Sequence, residues 1–184
     1  MKKINNSNYD TNHLSIAGQS YVKVCFLILD AIDAGKLKDF EQKQILIPLI
    51  YNFRHAAELF LKSVLLKANI EFKATHDLTT ILTNTMSQLT THFSDSFVPQ
   101  ACTRSFLEFK REIELIKNNE FAGIRILDKE DKQNESFRFP EKGLSNQYAN
   151  LNLINFSLLR DQIKAMYTSY LLLQSAMSVQ VSYK

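Results

Sequence analysis

The stretch YNFRHAAELFLKSVLL, residues 51–66, has the composition and spacing of a helix. Its apolar side chains recur every three or four residues, and no glycine or proline interrupts it. We predict a helix over residues 40–69, in which Pro48 introduces a kink or marks a short preceding helix because it removes a backbone donor. The side chains expected to face the core are Leu46, Phe53, Ala57, Phe60, Val64 and Ala68.

A polar cluster occupies about a third of the circumference of this helix, at 100° per residue. It has two interpretations. In the first it is a solvated face on which Glu58 forms i,i+4 pairs with Arg54 and Lys62. In the second it is a site for proton transfer or anion binding, since the other polar residues, Asn52, Ser63 and Lys67, lie elsewhere and offer a separate solvent face. The cluster consists of Tyr51, Arg54, His55, Glu58 and Lys62.

Two further helices flank this segment. The first is predicted over residues 14–34 and ends at Gly35; its stretch from Val24 to Leu29 is apolar nearly all round, which indicates contact on two sides. The next opens at THDLTTIL, with Thr75 as a candidate N-cap and Asp77 in the first turn, and ends near His92. The core-facing side of the first helix carries Val22, Cys25, Phe26, Leu29 and Ile32.

The C-terminal half adds two helices and one irregular region. A helix over residues 98–118 precedes an irregular region over residues 119–150, and a long final helix follows. We therefore predict an all-α fold, an antiparallel bundle of about five helices. The fourth helix should bury Phe106, Phe109, Ile113 and Ile116, leaving Lys110, Arg111, Glu112 and Lys117 outside; the last should bury Phe156, Leu159, Ile163, Met166, Tyr170, Leu173 and Met177.

Length and composition agree with one globular domain. The 184 residues are 45% hydrophobic and 22% charged, with only 4 Gly and 3 Pro. Residues 1–12 are expected to form a flexible tail, and residues 13–184 a single domain. The tail lacks the apolar core of a signal peptide, and Asp30 interrupts the most apolar run, so we expect no membrane span. Cys25 and Cys102 have no metal-ligand spacing and indicate a reducing, cytoplasmic location.

An ordered set of motifs gives the chain a family resemblance. FRHAAELFLKSVLL is followed by THDLTTIL, then by ESFRFPEKG and a final amphipathic helix, over about residues 40–175. In this order the motifs resemble bacterial proteins of the HEPN superfamily. The resemblance implies a small helical bundle that commonly forms homodimers. It also implies relatedness to RNA-cleaving toxins and anti-phage effectors that use neither a metal nor a cofactor.

The chain departs from the family pattern at one point. In active HEPN proteins an arginine is followed four to six residues later by a histidine, and both line a cleft at the dimer interface. His55 is instead adjacent to Arg54, and the other arginines have no histidine at that spacing. We expect a composite site in which a helical hairpin brings His76 near the 40–69 helix and the FRFP loop delivers Arg138. The alternatives are that His76 only caps a helix and that Arg138 is a loop arginine held between Phe137 and Phe139.

Two hypotheses of different class follow. In the first, the chain is a metal-free endoribonuclease or toxin in bacterial defence. In the second, it is a non-catalytic HEPN-like module that dimerises and binds RNA, a nucleotide, an antitoxin or another defence protein. For the first hypothesis the candidate catalytic residues are His55, Arg54, Glu58 and His76, and the candidate RNA or phosphate ligands are Tyr51, Lys62 and Arg138.

Overall fold

The computed structural model describes residues 10–72, 76, 78–95, 97–117 and 155–181. These residues form five helices and no strand, which confirms the all-α prediction. The predicted irregular region 119–150, Arg138, Thr75, Asp77 and most of the predicted tail lie outside the described residues. The helices are α1 (Thr11–Asp33), α2 (Asp39–Lys67), α3 (Leu78–Phe93), α4 (Gln100–Lys117) and α5 (Phe156–Val181).

Helix α1 has a well-defined cap at each end. The Asp10 side chain accepts a hydrogen bond from the backbone N–H of Asn12 at 2.8 Å, so the helix starts at Thr11, before the predicted residue 14. At the other end Gly35 has φ +63°, and the N–H of Lys36 donates to the carbonyl of Ala31. This is a Schellman ending, and it confirms Gly35 as the stop.

Helix α2 is the central helix of the bundle. Its predicted core residues are buried, and Leu49, Ile50, Leu61 and Leu65 on other sides are buried too. Pro48 lies inside the helix without ending it. Burial all round is typical of a helix that is packed on several sides.

Of the polar residues on the far side of α2, Asn52 and Lys67 are partly exposed, but Ser63 does not face solvent, contrary to the prediction. Ser63 is fully buried and accepts hydrogen bonds from the Tyr170 hydroxyl at 3.2 Å and from the Gln174 side chain at 3.3 Å. Lys67 donates to Ser178 at 3.0 Å. The prediction fails because α5 packs on this side of α2.

Hydrogen bonds between the helices give their directions. Ser63, near the end of α2, donates to the carbonyl of Thr11 at the start of α1, so these two helices are antiparallel. Arg160, near the start of α5, pairs with Asp30 and Asp33 at the end of α1. Helix α5 is therefore antiparallel to α1 and parallel to α2.

Helices α4 and α5 pack along the predicted apolar stripes. All the predicted core residues of α4 are buried, as are those of α5 except Phe156, which is half-buried. Glu112 was predicted to be exposed, but it is only 4% exposed. It lies where α4 meets α5 and accepts two hydrogen bonds from Arg111.

Helix α1 is long and apolar enough to cross a membrane by length and composition. The most apolar run of the sequence, which Asp30 interrupts, is only part of this helix. The core helix of a globular protein passes the same test, and Val22, Cys25 and Leu29 of α1 are fully buried in the hydrophobic core. The opposite face leaves Ile16, Val24 and Leu27 exposed, at 60%, 40% and 68%.

Candidate functional site

Glu58 is the centre of the polar cluster on α2. Its carboxylate is 1% exposed and has three basic neighbours. Lys62 Nζ lies 2.6 Å from Oε1, His76 Nδ1 lies 3.1 Å from the same oxygen, and His55 Nδ1 lies 3.5 Å from Oε2. We call Glu58, Lys62, His55 and His76 the Glu58 cluster.

The surroundings keep Glu58 ionised. Burial raises the pKa of its carboxyl, but the contact with His55 and the positive charge and hydrogen bond of Lys62 outweigh burial and lower the pKa to about 2. The carboxylate therefore carries its negative charge at every physiological pH.

The His55 imidazole contacts two tyrosine rings. Its side chain is 19% exposed. Tyr51, on the same helix, stacks on the imidazole with a centroid distance of 6.0 Å and an interplanar angle of 12°. Tyr21, on α1, makes an edge-to-face contact at 4.6 Å and 86°.

Sequence reasoning missed Tyr21. Nothing in the sequence around it distinguishes this tyrosine from other half-buried aromatic residues. It reaches the site only because α1 packs antiparallel to α2, and that pairing is a property of the tertiary structure. Its partner Tyr51 was found because both it and His55 lie on one helix.

His76 reaches the cluster from the segment before α3. Its side chain is 73% exposed, and its ring centroid lies 6.4 Å from that of His55. The structure thus places His76 beside Glu58 and His55 of α2, the helix near which it was predicted to lie. The imidazole bonds to Glu58 of α2, so its contact extends beyond capping of a helix.

Arg54 and Lys62 do not face solvent. Arg54 is fully buried, and the side chain of Lys62 is 10% exposed with its ammonium on Glu58. The interpretation of the cluster as a solvated face is therefore wrong. For either residue to bind phosphate, the phosphate would have to enter the protein or the side chain would have to move.

The geometry suits proton transfer. Both histidines direct Nδ1 to the Glu58 carboxylate, at 3.5 Å for His55 and 3.1 Å for His76, which leaves Nε2 of each ring for a substrate. No group of three or more His, Cys, Asp or Glu side chains within the described ranges is arranged to hold a metal ion.

A groove of about 400 Å³ lies elsewhere, between α4 and α5. It shares no lining residue with the Glu58 cluster. Its charged lining side chains carry both signs, and Arg111 is bonded to Glu112 within it. The charged lining residues are Glu108, Arg111, Glu112, Asp161 and Lys164.

Comparisons with protein-family models, with curated proteins and with solved structures found no match for this chain. The HEPN resemblance consequently stays an expectation that rests on the sequence motifs.

Proposed function

We propose that the chain is a HEPN-like, RNA-directed protein that cleaves RNA without a metal by using the two histidines of the Glu58 cluster. One observation carries the proposal. His55 and His76 both direct Nδ1 to the same buried carboxylate, at 3.5 Å and 3.1 Å. A role as a cytoplasmic toxin or anti-phage effector, with an antitoxin or defence partner, belongs to the same proposal and rests on the resemblance.

The proposed reaction needs a proton acceptor and a proton donor. Neutral His55 takes the proton of a 2′-hydroxyl through Nε2, and the freed oxygen forms a bond to the adjacent phosphorus. The bond from phosphorus to the 5′ oxygen breaks, and that oxygen receives a proton from protonated His76. The products are a 2′,3′-cyclic phosphate and a 5′-hydroxyl end, and exchange with water restores both histidines.

The test is cleavage of total RNA by the purified chain in EDTA. His55→Ala should abolish cleavage, since loss of a general base costs about 10²- to 10⁴-fold. His76→Ala should reduce it less, because water can replace a proton donor whose side chain is 73% exposed. His13→Ala is the matched control: His13 also lies near a carboxylate, Asp10 at 3.8 Å, but is 84% exposed and should be dispensable.

Equal cleavage by the wild type and His55→Ala would reject the enzymatic role of the cluster. Circular dichroism of both variants shows whether a loss of cleavage reflects loss of fold. His55 is on the rim of the core, so we expect both variants to remain helical.

The second candidate is a non-catalytic module that dimerises and binds RNA, a nucleotide or a partner protein. The Lys62–Glu58 contact at 2.6 Å favours it, because the buried charges compensate each other without any ligand. The absence of a histidine four to six residues after an arginine also favours the non-catalytic module. RNA binding in a gel-shift assay without any cleavage product would select this candidate.

A further inference from the structure

The contact between His55 and the Glu58 carboxylate is too long to fix the imidazole alone. Nδ1 lies 3.5 Å from Oε2, at the outer limit of a hydrogen bond. Rotation of the imidazole by half a turn about its bond to Cβ exchanges the positions of nitrogen and carbon atoms, and this torsion has broad, roughly two-fold preferences. A second constraint is needed to keep Nδ1 on the carboxylate.

The rings of Tyr51 and Tyr21 both contact the His55 imidazole. Tyr51 covers a face, at 6.0 Å and 12°. Tyr21 makes the closer contact, at 4.6 Å and 86°, which is the edge-to-face geometry that aromatic pairs prefer. A half-turn about the bond to Cβ carries the imidazole out of its present plane, so both tyrosine rings oppose it. Tyr21 opposes it more strongly because its contact is closer.

Tyr21 is itself anchored. It lies one residue before Val22, which is fully buried, and its own side chain is half-buried against the hydrophobic core. The contact with His55 is made by the ring, so a phenylalanine can reproduce it. An aliphatic side chain of similar size fills the space without reproducing the edge-to-face geometry.

We propose that Tyr21 is a positioning residue for His55: its ring, delivered by α1, keeps Nδ1 of the imidazole on Glu58 and leaves Nε2 as the proton acceptor. The consequence for RNA cleavage rests on the proposed function. The consequence for the tautomer of His55 does not, because it follows from the contacts alone. A carboxylate can only accept, so an Nδ1 held beside it favours the Nδ1–H tautomer of neutral His55.

The first experiment measures the tautomer of His55 by ¹⁵N NMR of the full chain, with the resonance assigned by its absence in His55→Gln. The wild type and Tyr21→Phe should both hold the Nδ1–H tautomer. Tyr21→Leu should shift the equilibrium toward Nε2–H. Tyr167→Leu is the matched control: Tyr167 is also half-buried, but it stacks on Phe60 and should leave His55 unchanged.

An unchanged tautomer in folded Tyr21→Leu overturns the proposal, whatever the chain does to RNA. If Tyr21→Leu fails to fold, Tyr21→Met fills the site with a more adaptable side chain and undergoes the same measurement.

The second experiment is RNA cleavage: kcat should fall about 10- to 100-fold in Tyr21→Leu with KM unchanged, and Tyr21→Phe should restore it. Absence of cleavage by the wild type counts against the proposed function, while the tautomer still decides the role of Tyr21.

Discussion

Glu58 combines burial with a lasting negative charge, and its neighbours explain how. An isolated carboxylate in the core would take up a proton, but Lys62 and the two histidines replace the water that it loses. The same contacts make the carboxylate a support for both imidazoles. Structural stability and the proposed chemistry therefore both depend on the Glu58 side chain.

A pH dependence of stability follows from Glu58. Its pKa is lowered from the ordinary 4.5 to about 2, so its contribution is complete above about pH 4.5 and is lost as the pH falls toward 2. A difference of this size corresponds to about 3 kcal/mol. Urea unfolding at a series of pH values should show this loss in the wild type, and Glu58→Gln should lack it because glutamine does not titrate.

The control for this measurement is Glu114→Gln. Glu114 also has a lysine partner, Lys110 at 3.8 Å, but its side chain is 47% exposed and such pairs contribute little. Its unfolding free energy should follow the wild type across the acidic range. A Glu58→Gln profile parallel to the wild type would show that Glu58 is not the group responsible.

Sequence periodicity found most of this site, because His55, Glu58 and Lys62 lie on one face of one helix. It could not show that the face is buried, since an amphipathic pattern and a buried polar cluster have the same spacing. It also could not find Tyr21, whose contact depends on how α1 packs on α2. Residues on one element can be grouped from sequence, whereas contacts between elements require the fold.

The helices could be predicted from the sequence, but which of their polar residues a neighbouring helix covers could not. The ends of α3 and α4 lie close to the predicted residues, and Gly35 ends α1 as expected. Ser63 and Glu112 were wrongly predicted to be exposed, because a polar residue on a helix normally faces solvent. Each lies instead where a neighbouring helix covers it.

Gly18 shows how closely α1 and α2 approach. A Cβ atom at this position would lie 2.6 Å from Cε1 of Phe60. Phe60 cannot easily withdraw, because it is fully buried and stacks on Tyr170 at 3.9 Å. The absence of a Cβ at Gly18 thus permits this short distance between the helices.

We expect Gly18→Ala to destabilise the protein by about 1–3 kcal/mol through overpacking. Alanine is intrinsically the better helix former by about 1 kcal/mol, so a loss of stability would identify the clash as the dominant effect. Urea unfolding measures it. Ser20→Ala, at an exposed position of the same helix, is the control and should change stability little; a stabilised Gly18→Ala would contradict the packing argument.

Helix α2 packs against three of the other helices, α1, α3 and α5. Helix α1 covers one side of it and supplies Tyr21 to His55, while α5 covers another and bonds to Ser63 and Lys67. The helical bundle was predictable from periodicity. The central position of α2 was not, because its polar residues gave it the pattern of a helix with a solvent face.

From the exposed apolar side of α1 we predict that the chain is a homodimer. Ile16, Val24 and Leu27 lie on this side, and covering them with a second copy would remove apolar surface from water. Light scattering at micromolar concentration should give twice the chain mass of 21.2 kDa. Leu27→Lys should shift the protein to monomer, whereas Leu107→Lys, at a 55% exposed leucine of α4, should leave the dimer intact. A monomeric wild type would reject the prediction, and a dimer that Leu27→Lys leaves intact would place the interface elsewhere.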